Sequence, residues 1–272
     1  MQGRLVPPEP NRFQAFPRER WRDEFPNAVA AGINYIEWIV DAYGLDANPI
    51  FTKAGLAELD SLKAGFNVQT LSLCTDWFMA NSLLRCTAIE RAEREQFLHH
   101  LIPIAHRIGA HHIVLPFVDS ARIMTSEDKT AVVEIMLAAA PLAADHGIGL
   151  HLETDLNAHD LVALLDRIPP PSVKAHYDTG NSAGLGYIAS EELAAYGHRV
   201  GSIHIKDRYR KPEGGVETRA LGTGSTDFDD AFAAIKRIGY TGPFTLEVAR
   251  GEPGGEVGWI QQQLAFIRRY WP

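Results

Sequence analysis

The sequence predicts an α/β protein, a (β/α)8 barrel. Eight short apolar runs of β type alternate with eight longer helical runs, an order that implies parallel strands joined by crossover helices. Gly32, Gly65, Gly109, Gly147 and Gly239 each fall between a helical run and the next strand, where a left-handed cap stops a helix. The 272-residue length is also taken up by one such barrel, which needs about 250 residues. No Gly/Ser linker or composition break divides the chain, so 1–272 reads as one domain.

The elements follow in order. Residues 1–6 read as the first strand, beginning at Met1, and Pro7, Pro8, Pro10 and Pro17 make the next loop extended. That loop follows a strand, so it is expected on the C-terminal face. The remaining strands are expected at 33–40, 68–74, 112–118, 148–154, 173–178, 202–206 and 244–249. The helices are expected at 20–31, 52–64, 88–108, 126–146, 157–167, 188–199, 227–238 and 256–270. Ser126-Glu127-Asp128 and Ser225-Thr226-Asp227 read as helix starts. Pro169-Pro170-Pro171 reads as a rigid connection between a helix and the next strand.

Composition narrows the function classes. With 46% hydrophobic and 22% charged residues the chain is globular, not disordered. No apolar stretch reaches the roughly 18 residues of a membrane span, and MQGRLVPPEPNRF holds no signal-type apolar core. Two cysteines, Cys74 and Cys86, match no zinc or redox spacing and suit a reducing cytoplasm. A net charge of −8 (26 basic minus 34 acidic residues) disfavours a nucleic-acid partner but leaves room for a local anion site. Helix-face association into a dimer or tetramer is a further expectation.

Side chains alternate along a strand, so the late strands can be written by face. Leu150 and Leu152 oppose His151 and Glu153. Val173, Ala175 and Tyr177 oppose Lys174, His176 and Asp178. Ile203 and Ile205 oppose Ser202, His204 and Lys206, and Phe244, Leu246 and Val248 oppose Thr245 and Glu247. The apolar set must meet the helices, so the polar set points into the barrel, near the strand ends where barrel active sites form. Taken singly, each such residue reads as a buried ion pair or a satisfied core histidine. Glu153, Asp178, His204 and Glu247, one from each of four successive strands, read together as ligands of one divalent metal ion. The oxygen-rich set favours Mn2+ or Mg2+, with Zn2+ and Co2+ still open.

The segments LHLET, HYDTGN, SIHIKDR and FTLEVA resemble the late strands of the sugar phosphate isomerase/epimerase family. These are xylose isomerase-like barrels, a superfamily that includes ketose 3-epimerases and endonuclease IV. MQGRL, IEWI and GTGSTDFDDAFAAIKRIGYTGPFTLE extend the resemblance over nearly the whole chain. It implies an enzyme, an isomerase of small ketoses or ketose phosphates. Glu153, Asp178, His204 and Glu247 would bind the metal, and Glu153 and Glu247 would double as acid/base groups on opposite faces of the sugar. The expected chemistry is proton transfer at a carbon next to a carbonyl, through an enediolate that the metal stabilises. Aldose–ketose isomerisation and an inosose dehydratase-like lyase share the first step. An endonuclease IV-like abasic-site nuclease is the weaker alternative, because Asn181 stands where its zinc-binding histidine is expected and HIKDRYR lacks an Asp-x-His pair. A non-catalytic sugar-binding barrel is a fourth reading.

Asn181 either donates to a substrate hydroxyl or caps the helix that follows. Lys206 shares the inward parity of His204 and is the first candidate for a phosphate, followed by Arg208; Arg210 and Lys211 read as solvated loop charges. The amides of Gly222-Thr223-Gly224-Ser225-Thr226 are a second candidate for an anion, although the segment is no P-loop. Arg4 and Glu37 are further candidates for substrate contact, with a local salt bridge as the competing explanation. Asp76 and Trp77 could wall the sugar. His111 and His112 open a strand at the other mouth of the barrel, where their default role is stability.

Overall fold

Crossover helices return the chain to the same end of a sheet, so βα alternation yields parallel pairing. The computed structural model describes residues 1–272 and has this form. Its strands are β1 (Tyr35–Ile39), β2 (Gln69–Cys74), β3 (His112–Phe117), β4 (Gly149–Thr154), β5 (Val173–Asp178), β6 (Val200–Ile205), β7 (Asp207–Arg210), β8 (Val216–Arg219) and β9 (Phe244–Leu246). Seven of them pair in parallel in the order β1-β2-β3-β4-β5-β6-β9. The helices are α1 (Glu24–Ala31), α2 (Lys53–Phe66), α3 (Trp77–Ala80), α4 (Ala88–Ile108), α5 (Ser126–Asp145), α6 (Ala158–Leu165), α7 (Thr179–Leu185), α8 (Ala189–Tyr196), α9 (Phe228–Arg237) and α10 (Glu256–Ile267). No helix is long and apolar enough to cross a membrane.

The first predicted strand, 1–6, is a single bridge. Gln2 pairs with Glu37, and Gly3 at φ 51 then turns the chain out of extended backbone. That one residue still closes the barrel. The Glu37 amide donates to the Met1 carbonyl at 2.9 Å, and the Gln2 amide donates to the Leu246 carbonyl at 3.1 Å, which links β1 to β9.

Other boundaries follow from local chemistry. Thr87 and Glu90 form a reciprocal cap at the start of α4, and Thr125 with Asp128 does the same for α5. Gly32 and Gly109 stop α1 and α4 in the left-handed conformation. Gly65 does not stop α2; the helix runs on to Phe66, and Asn67 takes the cap at φ 52. Asparagine tolerates that region because its short polar side chain bonds locally. The sequence reading also missed α7. Its residues are small and include two glycines, and the Asp178 carboxylate compensates by capping its first turn.

The apolar faces of β4, β5, β6 and β9 lie in the core shared with the helices, as alternation requires. The barrel interior holds imidazoles where branched apolar side chains are the norm. The His112 and His151 rings stack at 4.3 Å, and Ser202 Oγ lies 2.8 Å from His151 Nδ1 and 2.7 Å from His176 Nδ1. The single hydroxyl proton serves one ring and the other ring donates to Oγ, so the two imidazoles carry opposite tautomers. Burial pushes His112 down to about 4 and lowers His151 and His176 well below the usual value, keeping all three neutral.

The basic stretch after β6, expected as a loop, is the antiparallel hairpin β7–β8, turned by Gly214 and Gly215 at φ 99 and 82. Its first residue removes an anion site that the sequence suggested. The fully buried Asp207 carboxylate accepts from the amides of Gly222, Thr223 and Gly224 at 2.9, 3.1 and 2.8 Å, and from Thr226 at 3.1 Å. The glycine-rich loop therefore cradles an internal anion. Gly224 is required there, since a Cβ would stand 2.2 Å from Asp207 Oδ1. Asp207→Ala is expected to lower unfolding free energy by about 2–4 kcal/mol, because several amides lose a charged acceptor at once; urea denaturation reads this as a lower midpoint.

Candidate metal centre and its cavity

Four strand ends converge at the C-terminal mouth. Glu153 is the last residue but one of β4, Asp178 ends β5, His204 lies in β6, and Glu247 directly follows β9. Asp178 and His204 are register partners across adjacent strands. One ligand atom each from Asp178, His204 and Glu247 lies within 4.8 Å of the others, and all three residues are buried. Glu153 stands outside that triplet, on the wall of the adjoining cavity.

The donor chemistry fits a cation. Asp178 Oδ1 caps α7, accepting from the Gly180 and Asn181 amides at 2.8 Å each. Its Oδ2 is buried and has no hydrogen-bond partner. A buried carboxylate oxygen without a partner is costly, and a metal ion satisfies it. His204 Nδ1 lies 3.0 Å from Glu247 Oε2, while Nε2 makes a 2.8 Å ion-pair contact with Glu37 Oε1. Glu37 is in turn held by Ser72 Oγ, which donates to Oε2 at 2.6 Å. A histidine backed by a carboxylate on its far nitrogen is the usual arrangement of a metal-binding imidazole.

The carboxylates have separated protonation preferences. Burial, with Asp178 and Glu247 nearby, pushes Glu153 up to about 8. Burial also raises Asp178, against the pull of Lys206. Glu247 is equally buried, but Lys206, His204 and Arg4 outweigh that effect and hold it well below the carboxylate range. Burial would lower His204, yet Glu37 and Glu247 raise it well above its usual value.

A cavity of about 370 Å3 opens beside these groups, within the range of small-molecule sites. Its wall includes Glu153, Glu247, Asn181, Lys206 and Arg208, all expected from sequence. Asn181 does not cap its helix, a role that Asp178 fills; its Nδ2 donates to Glu153 Oε1 at 2.5 Å, and its Oδ1 is buried without a partner. Lys206 Nζ donates to Glu247 Oε1 at 2.6 Å and stands 3.7 Å from Asp178 Oδ2. Arg208 faces Asp119 at 3.9 Å, with its Nε buried and unpartnered.

Arg4 and Glu37, the other two candidates for substrate contact, stand behind the cavity wall and make ion-pair contacts there. Arg4 donates to the Val248 carbonyl at 3.0 Å, the Gln2 carbonyl at 3.1 Å and Gln14 Oε1 at 2.9 Å, and lies 3.7 Å from Glu247. Glu37 sits behind His204, its side chain 1% exposed. Asp76 does line the cavity, whereas Trp77 packs against Phe97 with ring centres 4.4 Å apart. Cys74 borders the cavity too, but burial and Asp76 push its thiol well up, which favours the protonated thiol over the thiolate.

Sequence reasoning missed the part of the wall made by Arg12, Phe13 and Gln14. The prolines marked an extended loop but not what holds it. Arg250 does so, donating to the carbonyls of Phe13, Val6 and Gly3 at 2.7, 3.0 and 2.7 Å. Gln14 Nε2 donates to Asp76 Oδ2 at 2.6 Å and ties the loop to the end of β2.

The profile of the family described as the xylose isomerase-like TIM barrel matches residues 25–270. An L-ribulose 3-epimerase of Methylomonas sp. (strain DH-1) is 32% identical over 130 residues, covering 44% of this chain and 42% of that protein. L-ribulose-5-phosphate 3-epimerase UlaE of Salmonella paratyphi C is 33% identical over 103 residues, 35% of each chain. The matched stretches thus span well under two thirds of these relatives. The crystal structure of a D-allulose 3-epimerase from Methylomonas sp. in complex with D-allulose superposes with a TM-score of 0.74 at 20% identity, covering 99% of this chain and 95% of that one.

If the cluster holds a divalent ion, Glu37→Gln is expected to weaken its binding about 10–100-fold by loosening the His204 ring, with folded circular dichroism retained. Isothermal titration calorimetry measures the change.

Proposed function

Since the chain belongs to the xylose isomerase-like TIM barrel family, we propose that it is a metal-dependent epimerase of a small uncharged ketose, acting at the carbon next to the carbonyl. The observation that carries this reading is the position of two carboxylates. Glu153, in β4, and Glu247, just after β9, share one cavity wall but belong to strands separated by β5 and β6, which bring Asp178 and His204 between them. Asp178, His204 and Glu247, with Glu153 beside them, would hold the ion, and the oxygen-rich set favours Mn2+ or Mg2+. The ion supplies a Lewis acid that stabilises negative charge building on the substrate oxygens.

The chain's own residues do the rest. One of Glu153 and Glu247 removes the carbon-bound proton, and the other returns a proton from the opposite side, which inverts the centre. Asn181 steadies Glu153 through its Nδ2 and leaves its Oδ1 to accept from a sugar hydroxyl. Arg208 offers a free Nε–H to another oxygen of the sugar. The 370 Å3 cavity suits a single sugar unit.

The choice of an uncharged sugar rests on the same side chains that raised the phosphate question. The Lys206 ammonium is paired with Glu247, the glycine-loop amides surround Asp207, and Arg208 faces Asp119. Each candidate anion-binding group already has an internal anion beside it. Cys74 and Cys86 are both free thiols, which supports a reducing cytoplasm as the compartment.

Glu153→Gln and Glu247→Gln are each expected to lower epimerisation by about 10²–10⁴-fold. Deuterium uptake from D2O into the ketose, followed by NMR, should survive in at most one of them. Uptake surviving in both sinks the acid/base assignment, and an unsaturated product identifies a lyase. The kcat/KM for a free ketose should exceed that for its terminal phosphate by about tenfold or more, since an unpaired phosphate beside carboxylates is disfavoured.

A further inference from the structure

Lys206 is buried in the mouth of the barrel, with its ammonium on Glu247 Oε1 at 2.6 Å and 3.7 Å from the unpartnered Asp178 Oδ2. Those two oxygens belong to residues whose ligand atoms cluster with His204 as a cation site. The lysine thus claims the same carboxylates that the ion needs. Its root is fixed: the Lys206 amide donates to Thr179 Oγ1 at 3.0 Å, and the Thr179 hydroxyl donates to the Lys206 carbonyl at 2.7 Å. Gly180 presses on the first part of the stem, where a Cβ would stand 2.8 Å from Lys206 Cγ. Lys206 lines the 370 Å3 cavity, which offers its side chain space to move into.

Resting on the metal reading above, we propose that Lys206 is an internal rival of the divalent ion, and that ion binding drives its ammonium off Glu247 and Asp178 into the sugar cavity. A lysine is suited to this. It is a compact point charge on a flexible stem, so it can leave without unmaking a bidentate fork. Two cations on one carboxylate repel strongly at ligand distances, so the ammonium and the ion exclude each other. Its presence also keeps Glu153, Asp178 and Glu247 from facing one another without a cation, the arrangement that most destabilises a buried charge cluster. Lys206 therefore sets the affinity for the ion and positions the carboxylates for it.

The test compares Mn2+ binding to EDTA-treated wild type, Lys206→Met and Lys206→Arg, by calorimetry and by the electron paramagnetic resonance signal of free Mn2+. Lys206→Met is expected to bind about tenfold tighter or more, and Lys206→Arg to stay within about threefold of wild type, because the charge and not the packing is the rival. In the wild type, labelling of the Lys206 amine, read by mass spectrometry of the peptide, is expected to rise with Mn2+ saturation. That measurement decides the matter if Lys206→Met does not fold. Equal or weaker binding by Lys206→Met, or labelling that does not rise, overturns the proposal while leaving the metal site intact. Binding by none of the three proteins overturns the metal site and the proposal together.

Discussion

Three buried carboxylates packed into one barrel mouth repel each other, and much of the surrounding structure answers that repulsion. Glu153 is pushed toward its protonated form, Glu247 is held ionised by Lys206, His204 and Arg4, and Asp178 places one oxygen on the first turn of α7. Removing any of these cations or donors leaves a buried charge uncompensated, which is far more harmful than removing a whole pair. The site is thus a balanced set, in which Lys206 pairs with two of the carboxylates that a divalent ion would use.

The rest of the mouth supports that set. Glu37 and Ser72 stand behind His204, Arg4 stands behind Glu247, and Asn181 holds Glu153. Arg4 then passes its grip through Gln14 to Asp76, so the same guanidinium that steadies Glu247 also fixes the loop forming the outer wall. Arg250 pins that loop at three carbonyls. Binding wall and charge cluster are therefore mechanically one unit, although the N-terminal segment adds only a single bridged residue to the sheet.

Below the mouth, neutral imidazoles fill the barrel. A charged residue there would add to the electrostatic load above it, and an apolar one would leave Ser202 unsatisfied. His151 and His176 share that hydroxyl, and Gly149 and Gly201 leave room for the His151 ring, since a Cβ at either would stand 2.6 or 2.5 Å from it. The ring stack is thus a packed polar core, sealed from ionisation by its own burial.

The sequence by itself determined the alternation of strands and helices, the parallel pairing and the inward facing of Glu153, Asp178, His204 and Glu247. These follow from local periodicity, since a residue's face in a strand is set by its own backbone. It also singled out Lys206 and Arg208, as phosphate candidates, and both line the cavity, yet it suggested an external anion for the loop at 222–226, which Asp207 fills from within. The first strand shrank to one residue because Gly3 leaves extended backbone. Only the tertiary structure decided which charge meets which. Lys206 finds Glu247, Glu37 finds His204, and Arg250 finds the carbonyls of the first loop, across stretches of chain that no periodicity connects. Facing is a property of one strand, whereas pairing depends on distances between strands, and those exist only once the barrel has closed.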